Sequence, residues 1–150
     1  MSSPLLDHST LHAVRSSFER VREPAFAAAF YERLLARDPE IRRRFAHTDF
    51  ERQRELFLHG LFALVDYASG GATGKLAIER LHAMHGPEQL DVPAALFDVW
   101  RDVLLETLAE HDPEWRGELA VANAATRLPT SACRTRKIHK LSTQRHCFSP

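Results

Sequence analysis

Apolar residues in this chain recur at spacings of three and four, and nowhere do they alternate strictly with polar residues through a β-branched run. A 3.6-residue period places such positions on one face of an α-helix, whereas a half-buried strand needs a period of two. The chain is therefore expected to be all-α, with proline and glycine setting where each helix starts and stops. Leu11, Val14, Phe18 and Val21 mark a first helix, which Ser9 and Thr10 can cap. Pro24, at a first-turn position, opens a second helix with Ala27, Phe30, Tyr31, Leu34 and Leu35 on its apolar face. Pro39 begins a short third helix through Ile41 to Arg44, followed by Phe45, an apolar residue in what reads as a loop. The longest helix runs from about Phe50 to Ser69; Gln53 begins its stripe, and Leu56, Phe57, Gly60, Leu61 and Leu64 continue it. After Gly70, Gly71 and Gly74, the residues Ile78, Leu81 and His85 align before Gly86 and Pro87 end the pattern. Pro93 opens a helix with Leu96, Phe97, Trp100, Val103, Leu104 and Leu108, and Asp112 with Pro113 starts a last one through Trp115, Leu119 and Ala122. Six or seven helices are expected.

A chain of 150 residues can bury one proper core, and 44% hydrophobic with 27% charged residues excludes a wholly disordered or disulfide-dense class. The longest apolar stretch, AFAAAF at 25–30, falls far short of the roughly 20 residues that cross a bilayer. No secretory signal pattern precedes it, so the expectation is a cytoplasmic protein with no membrane partner. Residues 127–150 hold six bases and no acid, which leaves 14 bases against 20 acids in residues 1–126. The helical period stops near Ala125, and Pro129 opposes its continuation. Residues 1–126 therefore read as one domain with a short or irregular last helix, and 127–150 as a flexible basic tail. The change of character fits either an altered reading frame or a naturally divergent terminus. Six charges without interleaved aromatics leave a weak electrostatic footprint, so a nucleic-acid partner is not expected. Cys133 and Cys147 offer a single pair and no disulfide framework.

Tyr31, Gln53 and His85 each stand on the apolar face of a different helix. An unpartnered buried polar group costs about 1–3 kcal/mol, so something should satisfy them. Any one alone reads as a core residue bonded to backbone or water. All three together, with Phe45, Phe57, Phe97 and Trp100, suit a metal centre carrying a polarised ligand in an apolar slot, and haem iron meets that description. His82 and His85, three apart, could share zinc, yet no carboxylate or thiolate stands at ligand spacing around them. Local signals for nucleotide binding, zinc proteolysis and nucleophilic hydrolysis are missing. Arg42, Arg43 and Arg44 read as solvated surface, with contact to haem propionates or another anion as the alternative. From a different class, a haem-free helical sensor or interaction module would let the buried polar residues satisfy one another.

Four blocks stand in order along the chain: FYERLLARDPEIRRRF, TDFERQRELFLHGLFALV, IERLHAMHG and VPAALFDVWRDVLLETLAEHDPEW. Over roughly residues 9–124 the chain resembles a bacterial globin, similar to the globin domain of flavohaemoglobins and their single-domain relatives. The resemblance implies a globin-like bundle around a haem b pocket. It implies His85 as the proximal iron ligand, Phe45 wedged against the haem face, and Tyr31, Gln53 and Phe57 on the ligand side. Leu81, Phe97, Trp100 and Leu104 would line the cofactor. A five-coordinate iron would then bind dioxygen or nitric oxide reversibly. No flavin or nicotinamide domain fits in this chain, so nitric oxide dioxygenation would need a separate reductase, and a binding protein is expected rather than a self-sufficient enzyme. Phe97 stands where flavohaemoglobin-type domains carry a tyrosine, so the proximal hydrogen-bond network of those domains cannot be complete here.

Overall fold

The computed structural model describes residues 8–115, which form six α-helices and no strand. They are α1 (His8–Arg20), α2 (Pro24–Arg37), α3 (Pro39–Arg44), α4 (Phe50–Ala68), α5 (Ala72–His85) and α6 (Ala94–His111). The all-α expectation holds. The last helix expected through Leu119 and Ala122, and the 127–150 tail, lie outside the described residues.

Local chemistry explains most of the boundaries. Pro24 and Pro39 occupy the first position of α2 and α3, where a missing N–H leaves no helical bond unmade. Asp38 Oδ1 accepts from Glu40 N at 2.7 Å ahead of α3. Asp49 Oδ1 does the same for α4, accepting from Glu51 N at 3.1 Å and Arg52 N at 3.3 Å. One boundary differs from expectation: α1 is already helical at His8, so Ser9 and Thr10 lie inside its first turn rather than ahead of it.

Helix α2 is the centre of the core. Its Phe26, Ala27, Phe30 and Leu34 are almost wholly buried against Phe57 and Leu61 of α4 and Val103, Leu104 and Leu108 of α6. Each large side chain so buried contributes about 1.5–3 kcal/mol. Val14 and Phe18 of α1 close the same cluster. A polar staple fastens α1 to the end of α6, where Asp112 Oδ2 accepts from Ser17 Oγ at 2.6 Å and Asp112 Oδ1 from Arg20 Nε at 2.7 Å.

Helix α5 is set against α4 by one close approach. Gly70 turns the chain at φ 86°. A Cβ on Gly74 would then stand 2.3 Å from Tyr67 N and 2.8 Å from Ala63 O, so the two backbones meet only because position 74 has no side chain. Gly74 N also donates to Asp66 Oδ2, which ties the start of α5 to α4. Helix α5 makes far less contact with α6, and that asymmetry leaves one of its faces open.

Candidate functional site

Tyr31 and Gln53 come together across α2 and α4. Gln53 Nε2 donates to Tyr31 Oη at 3.0 Å, which satisfies the phenol oxygen as an acceptor and leaves its hydrogen to donate elsewhere. Tyr31 is 4% exposed. Burial pushes its phenol above the ordinary value, and the hydrogen bond from Gln53 pulls it back only in part. The hydroxyl is thus a neutral donor through the physiological range.

Aromatic rings fix that hydroxyl in place. Tyr31 meets Phe30 at 5.2 Å, Phe45 at 5.7 Å, Phe50 at 5.6 Å and Phe57 at 5.6 Å between ring centroids. Phe45 stacks on Phe50 at 6.0 Å, which explains an apolar residue just after α3. Phe57 stacks on Phe30 at 4.2 Å, and Trp100 of α6 stands edge-on to both, 5.8 Å from Phe30 and 6.3 Å from Phe57. Leu104, one turn beyond Trp100, is 1% exposed in the same core. Pairs in these offset and edge-on geometries are worth about 0.5–1.5 kcal/mol beyond the area they bury.

His85 stands apart from that cluster, at the last position of α5. Its Nδ1 lies 2.7 Å from Leu81 O. A carbonyl oxygen only accepts, so Nδ1 carries the hydrogen and Nε2 of the neutral ring keeps its lone pair for an external partner. Phe97 sets its ring 5.8 Å from the imidazole, inclined at 62°. Phe97 and Trp100 are one turn apart on α6, so that helix carries both the residue against His85 and the residue against the Tyr31 side.

The expectation of a core-buried imidazole is corrected. His85 is half-buried, and Leu81 beside it is exposed at 38%. The cause is the lean of α5 onto α4, which leaves the face bearing Leu81 and His85 open. Met84 borders that face and is exposed too, as are Leu56 on α4 and Leu90 in the loop after α5. Sequence reasoning missed Met84 as part of this apolar opening; its place three residues after Leu81 and next to His85 was the available signal. Arg42, Arg43 and Arg44 are all exposed, as the solvated-surface reading expects, and two of them also donate to backbone carbonyls, Arg42 to Leu35 O and Arg44 to those of that loop. Arg43 meets the carboxylate of Glu40. Among the described residues, no group of three or more His, Cys, Asp or Glu side chains gathers as a metal-ion site, and no helix is long and apolar enough to cross a membrane.

Comparison with known proteins adds the ancestry of this arrangement. The family model described as Globin matches residues 28–127. Among solved structures, the chain is similar to a Pseudomonas aeruginosa PAO1 protein described as structurally highly homologous to a human hemoglobin. The two share 33% sequence identity with a TM-score of 0.74, over 83% of this chain and 98% of that one. A search of curated proteins found no match.

Proposed function

Because the chain belongs to the globin family, we propose that it binds haem b through His85 Nε2 and presents Tyr31 and Gln53 to a diatomic gas, dioxygen or nitric oxide. One observation carries the reading: the 2.7 Å contact from His85 Nδ1 to Leu81 O, which leaves Nε2 as the free nitrogen donor. A metal-ligating histidine commonly has its other ring nitrogen engaged in this way, because that bond fixes both tautomer and ring orientation.

The residues around His85 fit such a group. Exposed Leu81 and Met84 beside the imidazole offer apolar surface that a water-exposed helix end has no use for, and a flat macrocycle would cover it. Phe97 and Leu81 would lie against the histidine side, with Phe45, Phe57, Trp100 and Leu104 completing an apolar lining. When bound, haem iron supplies an open coordination position for a small gas. The protein's part is then binding and orientation. Tyr31 holds a neutral O–H on the ligand side, and the amide of Gln53 holds Tyr31. Each hydrogen bond to a ligand with partial negative charge contributes about 1.5 kcal/mol, which slows ligand loss roughly tenfold.

Reversible gas binding needs nothing further from these side chains. Nitric oxide dioxygenation would need a separate reductase, because each turnover consumes an electron that none of them supplies. The test is an absorption spectrum of protein purified with haem supplied, in ferric, ferrous and carbon monoxide forms. A haem band supports the reading, and its absence leaves the haem-free helical module in its place.

A further inference from the structure

The loop that follows His85 folds back on the helix it has just left. Leu90 N donates to Met84 O at 3.2 Å, Asp91 N to Gly86 O at 2.9 Å and Val92 N to His85 O at 3.1 Å. The last carbonyls of a helix have no donor within it, so the returning loop satisfies them, that of His85 included. Asp91 makes the return possible at φ 42°, in the left-handed region that residues other than glycine seldom enter. Such a conformation persists only where the surroundings impose it.

Arg44, at the end of α3, imposes it from outside. Its Nη1 donates to Leu90 O at 2.7 Å and its Nη2 to Asp91 O at 3.2 Å, across more than forty residues of chain. Glu40 Oε1 accepts from Arg44 Nε at 3.0 Å and lies 2.9 Å from Nη2, so it holds the Nε–Nη2 edge of the guanidinium. A planar fork held by a carboxylate on that edge thus spends its remaining N–H groups on two successive carbonyls. A lysine could reach one of them as a point donor but could not span both in a fixed plane.

We propose that Arg44 is a positioning residue for His85. It latches the 86–92 loop to the end of α3, and the loop in turn holds the last turn of α5, on which the imidazole is presented. The consequence for cofactor retention rests on the haem-binding reading, whereas the latch itself is measurable in protein without haem. Its cause is geometric: α5 leans on α4 and has little support from α6, so the open side of its C-terminal turn depends on this loop.

Arg44→Gln, Arg44→Lys and Arg43→Gln separate the possibilities. In haem-free protein, amide hydrogen exchange at Leu90, Asp91 and Val92 should quicken about tenfold in Arg44→Gln, less in Arg44→Lys, and not at all in Arg43→Gln. Haem loss to an excess of a haem-scavenging apoprotein should follow the same order, roughly tenfold faster in Arg44→Gln with partial rescue by lysine. Exchange at these three amides unchanged from wild type would overturn the latch. Faster exchange with unaltered haem loss would overturn the positioning role, leaving Arg44 a brace for the loop alone. Failure of the binding reading is seen separately, as wild-type protein that takes up no haem, and it would take the positioning role with it.

Discussion

Gln53 Nε2 donates to Tyr31 Oη at 3.0 Å, a side-chain bond between α4 and α2 that closes over 22 residues of chain. Its direction matters. An amide N–H can only donate, so the phenol accepts from Gln53 and is left with its own hydrogen to offer. The rings of Phe30, Phe45, Phe50 and Phe57 limit where that hydrogen can point.

Removing either member should act on ligand retention before stability. Tyr31→Phe keeps the ring and its packing but deletes the donor; Gln53→Leu keeps the volume but releases the phenol. Each is expected to quicken oxygen dissociation about tenfold, equivalent to about 1.4 kcal/mol. The double variant should fall short of the product of the two effects, because both residues act through one hydrogen-bonded unit. Stopped-flow dissociation measures this, and rates unchanged in both single variants would remove the pair from the site.

Phe97 leads to a negative expectation. It offers His85 a ring where a hydroxyl would join a network, and His85 Nδ1 donates to a neutral carbonyl rather than a carboxylate. A neutral acceptor draws less on the N–H and leaves the imidazole a weaker electron donor. Haem-loaded protein should therefore be a poor peroxidase. High turnover of a phenolic substrate with hydrogen peroxide would contradict this account of His85's surroundings.

Acid should loosen the join between α1 and α6. Arg20 is the main reason that Asp112 is lowered from its ordinary 3.8 to about 2; burial opposes the shift, and Ser17 and the Glu114 backbone N–H add to it. A folded-state value below the unfolded one means that the staple stabilises fully above about pH 4 and is lost as pH falls toward 2. The contribution is about 2 kcal/mol. Asp112→Asn should lose a similar amount at pH 7 in urea unfolding and should flatten the decline of stability between pH 4 and pH 2. An unchanged acid limb in Asp112→Asn would mean that other carboxylates govern it.

Two helical glycines should respond oppositely to the same substitution. A Cβ at Gly60 meets nothing within 4 Å, so Gly60→Ala should stabilise by about 0.5–1 kcal/mol through helix propensity. A Cβ at Gly74 collides with the backbone of α4 at 2.3 Å, so Gly74→Ala should destabilise by about 3 kcal/mol as α5 is pushed away. Thermal melts of the pair decide it, and matching shifts would deny the close approach of α4 and α5.

Features that depend on local chemistry were readable in the sequence, and features that depend on distant chain were not. Pro24, Pro39 and Pro93 announce helices because a fixed φ and a missing N–H act on the spot. Tyr31 and Gln53 were legible, with His85, as polar residues on apolar faces that need partners, but the bond from Gln53 Nε2 to Tyr31 Oη was not, because it depends on how α4 crosses α2. Asp112 accepts from Glu114 N at 3.0 Å in a local turn, while the helix it was expected to cap lies outside the described residues; nothing nearby announced Ser17 and Arg20, more than ninety residues earlier. Arg44 was hidden in a run of three arginines that look alike until the fold sends one of them to Leu90 and Asp91. The openness around His85 was equally out of reach, because it depends on which neighbour α5 leans against rather than on its own period.

If His85 is the protein's bond to haem iron, the ferrous absorption spectra of wild type and His85→Gly after the same haem titration must differ. Wild type should show a saturable, histidine-ligated band. In the variant that band should be lost or altered, and free imidazole added to the solution should restore it. A wild-type protein with no haem band, or a His85→Gly spectrum indistinguishable from wild type, would contradict ligation by His85.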